Sequence, residues 1–387
     1  MNPNTLSPAP VRLPADSGGP EDESFRPVLF DAADPGTASA LDRLRDSGRI
    51  REVHDSVEEQ LTELVTCLDP GTDRSERGLA TASEAARAGL PADRYGTWAW
   101  YPWSGRLVRV LPRESFRLVR TDRNRDKITR AEQAALLHRR IGVIGLSVGE
   151  CAALTCAMEG VGGSFRLADF DRLGLSNLNR LRGGVHELGQ EKAVLCARRM
   201  YELDPYLDVE VHRRGVTEES VAEFFADGLD LLVEECDTPW VKVAAREHAR
   251  RRRIPVLMDA NDRGLLDVER FDLEPTRPLC HGRIGTTTSA DVAGLDRAAQ
   301  IRFLLDIVDE DGLSPAMTDA LGRIGTSLSS WPQLASGVML GGALVTDAAR
   351  RILLGGHLPS GRYYVDLDRL LAPGRSSVPE PAAGAAR

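Results

Sequence analysis

Glycine and polar residues after a predicted strand form a candidate phosphate-binding loop. The apolar run IGVIG at residues 141–145 is typical of a buried strand, and GLSVGE continues it into a predicted helix. A glycine-containing turn at a helix N-terminus lets backbone N–H groups approach a phosphate, so Gly145, Ser147 and Gly149 are candidate nucleotide contacts. Ser147 and Glu150 stand where the pattern G-x-G-x-x-G has glycine. The loop alone is therefore a weak signal, and a nucleotide-free turn stays open.

A carboxylate and the scarce lysines are further candidates. Asp169 ends the next predicted strand, where a carboxylate usually reaches the ribose hydroxyls of a nucleotide. Of the 49 basic residues only three are lysines: Lys127, Lys192 and Lys242. Because arginine supplies the other positive charges, a remaining lysine is a candidate for binding phosphate through its compact ammonium. For any one lysine taken alone, chance survival explains its presence equally well.

Strands and helices alternate from residue 141 onward. Five apolar segments predict strands, namely IGVIG, FRLAD, VEVHR, LDLLVEE and IPVLMDA. Helices are predicted between and after them, at residues 149–160, 190–203, 221–225, 240–252, 297–310 and 334–353, followed by a strand RYYVDL. Such alternation is typical of a mostly parallel sheet covered on both faces. The predicted fold class is therefore α/β, a Rossmann-like doubly wound sheet.

Composition divides the chain into four predicted regions. Residues 1–24 and 371–387 are predicted to be disordered tails, the first because it is rich in Pro, Ser, Gly and Asp. Residues 25–120 are predicted to form an N-terminal α+β extension. It contains a Trp-rich hairpin around a Ser-Gly turn at residues 95–112, whose tryptophans we expect to pack or form an interface. Residues 121–370 are predicted to form the α/β domain that carries the candidate nucleotide contacts.

Bulk composition argues against several classes of protein. The net charge is −9 and the one arginine run, Arg250–Arg253, falls at a predicted helix end, so no nucleic-acid partner is expected. The apolar stretch at residues 335–345 is shorter than the ~20 residues that span a bilayer. The first 30 residues lack an apolar segment, so we expect a cytoplasmic protein without a membrane partner. Six scattered cysteines without a CxxC pair predict neither disulfides nor zinc.

One long polar segment carries a family resemblance. The residues ADFDRLGLSNLNR at 168–180 and GQEK at 189–192 resemble the D-x-D-x-(V/L)-x-x-S-N-L-x-R … G-x-x-K signature of the ThiF/MoeB/HesA superfamily. These proteins are bacterial relatives of ubiquitin-activating enzymes. The resemblance spans roughly residues 123–285. Within the superfamily, the sequence is similar to a subfamily often joined to nitroreductase-like domains. It implies an adenylyltransferase that uses ATP and Mg²⁺ to convert a carboxylate into an acyl-adenylate.

The resemblance also implies roles for individual residues. Asp169 would hold the ATP ribose, Asn177 and Arg180 would contact the triphosphate, and Lys192 would neutralise charge near the α-phosphate. Asp237, in EECDTPWVK, matches the position of a magnesium anchor. From the residues alone, Asn177 and Arg180 could equally be a loop cap and a surface charge. Asp237 could instead cap the helix that follows it.

Two further catalytic groups depend on the same resemblance. TDRNRDKITRAEQ resembles the family's N-terminal R-x-x-R-Q helix, from which an arginine reaches ATP in the other subunit of a dimer. Arg125 is the match and Arg123 the alternative, and either implies a homodimer. Some relatives add a covalent cysteine. Cys280 beside His281 is the candidate, although a free cysteine is usually a small buried hydrophobe.

Two other functions remain open. An NAD(P)-dependent oxidoreductase would keep the glycine turn and Asp169 but leaves SNLNR, Lys192 and Asp237 unexplained. A catalytically altered scaffold or binding protein is favoured by Glu150 in the altered loop. If the protein is a biosynthetic adenylyltransferase, its carboxylate could belong to a peptide, a ubiquitin-like carrier or a small acid.

Overall fold

The chain divides into two compact units, Met1–Val119 and Arg120–Arg387. A computed structural model describes residues 24–308 and 312–372. The predicted disordered tails lie outside these ranges except for residues 24, 371 and 372. None of the helices in the described ranges is long and apolar enough to cross a membrane.

The first unit is built around a four-stranded sheet. Its elements, in chain order, are β1 (Val28–Asp31), α1 (Thr37–Asp46), β2 (Glu52–Asp55), α2 (Val57–Leu68), α3 (Glu76–Ala86), β3 (Thr97–Tyr101), β4 (Arg106–Val110) and α4 (Arg113–Arg120). The sheet order is β1–β3–β4–β2. β3 and β4 form the predicted hairpin, and Gly105 in its turn has φ +68°. Sequence reasoning missed β1 and β2 because both are short and largely exposed, so they lack an alternating apolar pattern.

The second unit alternates strands and helices as predicted. Its elements are α5 (Arg130–Leu136), β5 (Arg140–Ile144), α6 (Gly149–Glu159), β6 (Ser164–Ala168), α7 (Lys192–Leu203), β7 (Asp208–His212), α8 (Val221–Phe224), β8 (Leu231–Glu234), α9 (Pro239–Arg252), β9 (Val256–Ala260), β10 (Leu265–Glu269), α10 (Ser289–Val292), α11 (Arg297–Val308), α12 (Pro315–Leu321), α13 (Ala335–Leu353), β11 (Gly361–Tyr364) and α14 (Leu367–Leu370).

These strands form a seven-stranded sheet in the order β11–β10–β9–β8–β5–β6–β7. The five strands from β9 to β7 are parallel, whereas β10 and β11 add an antiparallel edge. The α/β, mostly parallel prediction is confirmed. The carboxyl ends of β5, β6, β8 and β9 meet at one edge of the sheet, and α6 and α7 begin there. Ligands of open parallel sheets bind at this edge.

Helix α13 packs closely on the sheet and on α6 through small residues. A Cβ added at Gly341 would lie 1.8 Å from Oδ2 of Asp259, and one added at Gly342 would lie 2.5 Å from Sγ of Cys151. Side chains at these positions would therefore push the helix away. The small-residue run at 335–345 is a packing surface inside the unit.

Four charged residues form a buried network between β8, α9 and β10. Nζ of Lys242 lies 3.0 Å from Oε2 of Glu234, and Arg246 joins Glu234 to Glu269 at 2.5 and 2.6 Å. Although burial opposes ionisation, Lys242 and Arg246 lower the pKa of Glu234 to about 2. Lys242 is thus held by a structural partner, which explains its retention without a phosphate role.

Candidate active site

The loop between β5 and α6 is a tight turn packed against the end of β8. Gly145 has φ +86°, and a Cβ there would lie 2.7 Å from the backbone N of Cys236. Glycine is required on both grounds. The next residue, Leu146, donates its N–H to Oδ2 of Asp169 at 2.6 Å. The loop therefore leads into α6 with the helix N-terminus at the ligand-binding edge of the sheet.

Lys192 joins this loop to the end of β6. Its Nζ donates to Oγ of Ser147 and to Oδ2 of Asp171, both at 2.8 Å, and its side chain is only 4% exposed. Its backbone N–H also donates to the carbonyl of Asp171. Lys192 and Ser147 were predicted as ATP contacts, and the structure brings them together. Asp171 was missed, although the second carboxylate of DFD was the signal that could have identified it.

The Asp169 carboxylate accepts hydrogen bonds from the backbone of two loops. Its Oδ2 accepts from Leu146 and its Oδ1 accepts from the N–H of Asp171 at 2.7 Å. Burial raises the pKa of this carboxyl despite these hydrogen bonds. Both oxygens thus hold the backbone of the loops that surround the ligand-binding edge. The predicted contact between Asp169 and a ribose would have to use the remaining lone pairs.

Asn177 and Arg180 lie on the irregular turn after Asp171. Oδ1 of Asn177 accepts from the N–H of Gly174 at 2.9 Å, which is the loop-cap role left open above. The Arg180 guanidinium donates to Oδ1 of Asn179 at 2.8 Å, while its buried Nε has no hydrogen-bond partner in residues 24–308 and 312–372. Burial lowers the pKa of Arg180. Nε is thus a donor without a partner, but it is buried and not open to a ligand in this arrangement.

Asp237 follows β8 and lines a cavity of about 180 Å³ at the ends of β8 and β9. It is exposed, and its carboxylate contacts no partner within the described part of the chain. No group of three or more His, Cys, Asp and Glu side chains suited to a metal occurs there either. A single carboxylate fits Mg²⁺ when phosphate oxygens and water supply the other ligands, as is usual for Mg²⁺ in nucleotide sites.

Arg125 lies apart from these residues. It is ion-paired with Asp122 at 3.3 Å and is 41% exposed. The adjacent Asn124 donates to the carbonyl of Glu159 at the C-terminal end of α6, whereas the loop is at the N-terminal end. Eleven helical residues span about 16 Å. Arg125 is therefore distant from Lys192 of the same chain. Its predicted contact with ATP in a second subunit stays a prediction.

Comparison with known proteins places the site in a family. Residues 121–261 match the ThiF family. We refer to this segment, which contains Ser147, Lys192 and Asp237, as the ThiF domain because of that match. Uncharacterized protein MT1398 of Mycobacterium tuberculosis is 48% identical over 280 residues, which is 71% of this chain but 39% of that protein. The present chain thus spans about two fifths of that relative.

Two further matches carry an enzyme name. The tRNA threonylcarbamoyladenosine dehydratase of Bacillus subtilis is 25% identical over 242 residues, covering 59% of this chain and 94% of that enzyme. A crystal structure of the Escherichia coli tRNA N6-threonylcarbamoyladenosine dehydratase in complex with ATP overlaps 61% of this chain and 94% of that chain, with a TM-score of 0.44 and 17% identity. An overlap at this level carries no argument about function.

Glu150 and Cys280 are both buried side chains. Glu150 is 5% exposed, its Oε1 lies 3.7 Å from Arg199, and burial raises its pKa to about 7. Burial also raises the pKa of Cys280 to about 12, and the His281 ring pairs with Asp267 at 2.8 Å. Because the thiolate is the reactive form of cysteine, this geometry opposes a covalent role for Cys280.

Two acidic residues, Glu235 and Asp259, line the cavity side by side. Oε1 of Glu235 accepts from the backbone N–H of Asp259 at 2.8 Å. Both oxygens of the Asp259 carboxyl are buried without a hydrogen-bond partner among the described residues. Burial raises the pKa of Asp259 to about 8, and burial together with Asp259 raises the pKa of Glu235. An ionised Asp259 is therefore unfavourable in the free domain.

This carboxyl should make stability depend on pH. The unfolded-state pKa is about 3.9, below the folded value of about 8. The folded state then binds the extra proton between these values, so the free energy of unfolding falls as pH rises from about 4 to about 8. Asp259→Asn should gain stability relative to the parent between pH 5 and pH 8, by at most about 4 kcal/mol. Urea unfolding at both pH values measures this gain. An equal difference at the two pH values would contradict it.

Proposed function

We propose that the ThiF domain binds Mg·ATP at the carboxyl ends of β5 and β6 and adenylylates a carboxylate. The observation that carries the proposal is the buried ammonium of Lys192 held between Ser147 and Asp171. A desolvated lysine beside a helix N-terminus is an arrangement suited to phosphate. The match of residues 121–261 to the ThiF family and the resemblance to ATP-using adenylyltransferases support the same nucleotide.

The reaction requires no protein nucleophile. A carboxylate oxygen of the substrate attacks the α-phosphorus, and the bond from that phosphorus to the oxygen bridging to the β-phosphate breaks. Pyrophosphate leaves with the electron pair, so no proton is transferred. Lys192 and the positive charge of the Arg180 guanidinium would stabilise the charge that develops on the phosphates. Mg²⁺, held by Asp237 and phosphate oxygens, would supply further charge neutralisation.

Glu150 bears on the alternative of an inactive scaffold. In sequence this carboxylate stands in the first turn of α6, where it would repel a phosphate. In the structure it lies inside the domain near Arg199, and its raised pKa favours the neutral form below about pH 7. The residue that favoured a scaffold thus has a structural environment compatible with ATP.

Asp237→Ala tests the proposal at the magnesium position. With a panel of carboxylic acids, the parent protein should exchange pyrophosphate with ATP, and the variant should lose about 100-fold or more, similar to removing one group that stabilises a transition state. Glu223→Ala, which removes an exposed carboxylate on α8, is the matched control. Unchanged exchange in Asp237→Ala would refute its role. NAD binding without ATP binding would support the oxidoreductase, and ATP binding without exchange the scaffold.

A further inference from the structure

The cavity beside Asp237 begins at the phosphate loop and extends away from it. Val148, which precedes α6, lines one part of it, and Gln333, on the segment before α13, lines another. Leu304, Met317 and Trp331 contribute apolar wall. A volume of about 180 Å³ suits a compact group comparable to one amino acid. A carboxylate placed near Val148 would therefore leave the rest of a small substrate inside the cavity.

The polar lining of this cavity has acceptors that lack donors. Four buried oxygens of the lining have no hydrogen-bond partner among the described residues: Oδ1 and Oδ2 of Asp259, Oδ1 of Asn261 and Oε1 of Gln333. All three residues line the same cavity. Buried polar groups in folded proteins nearly always have a partner, so such a convergence points to a missing donor. The donor belongs to a ligand.

The charge of the cavity selects a cationic donor. Asp259 is 7% exposed. The other acidic residues of the lining are the half-buried Glu235, the exposed Asp237, and Asp262, which accepts from Ser314. Lys242 is the basic residue of the lining, and its Nζ is bound to Glu234 at 3.0 Å. It therefore supplies no counter-ion to Asp259, whose ionisation is unfavourable in the free domain, and a cation in the cavity would provide one. A neutral amide would satisfy acceptors but would leave this carboxyl without a counter-ion.

A primary ammonium fits these requirements. It carries three hydrogen-bond donors, which match the three acceptor residues. Its positive charge matches the one carboxyl among them, that of Asp259. We propose that the cavity binds the ammonium group of the same small molecule whose carboxylate is adenylylated, so that the substrate is an amino acid. The C-terminus of a carrier protein would bring no such group. This inference rests on the proposed function for the carboxylate, but the ammonium site can be tested independently.

Calorimetric titration with matched pairs of acids tests the ammonium site. The probes are the protein amino acids, β-alanine and 4-aminobutyrate, each compared with the acid that lacks the amine, such as propionate or butyrate. The parent protein should bind at least one amino acid ten times more tightly than its partner. Asp259→Asn should abolish this preference, Gln333→Met should weaken it at least threefold, and Glu223→Gln should leave it intact. ATP affinity, measured in parallel, reports whether each variant is folded.

Each outcome decides one of the two proposals. Equal binding of the amino acids and their deaminated partners would overturn the ammonium site, even if the deaminated acids support pyrophosphate exchange. A preference that survives in Asp259→Asn would overturn it as well. Selective amino-acid binding that Asp259→Asn abolishes, without any exchange, would support the ammonium site and contradict adenylylation.

Discussion

Replacing Lys192 by methionine is expected to weaken ATP binding about 10- to 100-fold, because a hydrogen bond to a charged group is worth about 1.5–3 kcal/mol. The ammonium is 4% exposed, so water replaces it poorly. Turnover should fall further, by about 10²–10³, if the same charge stabilises the transition state. Calorimetric titration with ATP and pyrophosphate exchange measure the two effects separately.

The chain offers a matched control for this substitution. Lys127→Met removes the same charge from an exposed position and should leave ATP affinity unchanged. The cost to folding should be small in Lys192→Met because its partner Asp171 is 50% exposed and can be solvated by water. ATP binding by Lys192→Met equal to that of the parent would remove the observation on which the proposed function depends.

Arg246→Met should lower the free energy of unfolding by about 3–5 kcal/mol, the usual cost of removing one partner from a buried ion pair. Arg246 is 1% exposed and lies between Glu234 and Glu269, both 0% exposed. Glu234 keeps Lys242, whereas Glu269 loses its cationic partner. Urea unfolding at pH 7 measures the loss.

Two further variants serve as controls for the Arg246→Met measurement. Arg251→Met changes an exposed arginine on the same helix α9 and should alter stability by less than about 0.5 kcal/mol. The double variant Arg246→Met with Glu269→Gln should recover part of the loss, because the uncompensated buried charge is gone. A single-variant loss no larger than that of Arg251→Met would show that the network contributes nothing to stability.

The parallel part of the sheet was predictable, and its antiparallel edge was not. Apolar strands alternating with helices predicted β5 to β9, and all of these except the edge strand β7 are buried along nearly their whole length. β10 follows β9 after a turn in which Arg263 and Gly264 have φ near +57°. No strand was predicted between IPVLMDA and RYYVDL, so this hairpin was missed. β11 was predicted as a strand, while its place at the edge depends on pairing with β10.

The three lysines show why the site was only partly predictable. Their scarcity suggested function for all three, yet Lys192 lies in the site, Lys242 in a buried network and Lys127 on the surface. Composition could not separate them, because each environment depends on residues distant in the chain. The unpartnered oxygens of Asp259 were invisible in sequence for the same reason. Family resemblance found Lys192 and Asp237 but gave no indication of the cavity between β8 and β9.

The most direct test of the central claim is calorimetric titration of the parent protein with ATP and with NAD in the presence of Mg²⁺. The account predicts that ATP binds, that NAD does not compete with it, and that Lys192→Met weakens ATP binding about 10- to 100-fold while Lys127→Met leaves it unchanged. Binding of NAD in place of ATP would contradict the account.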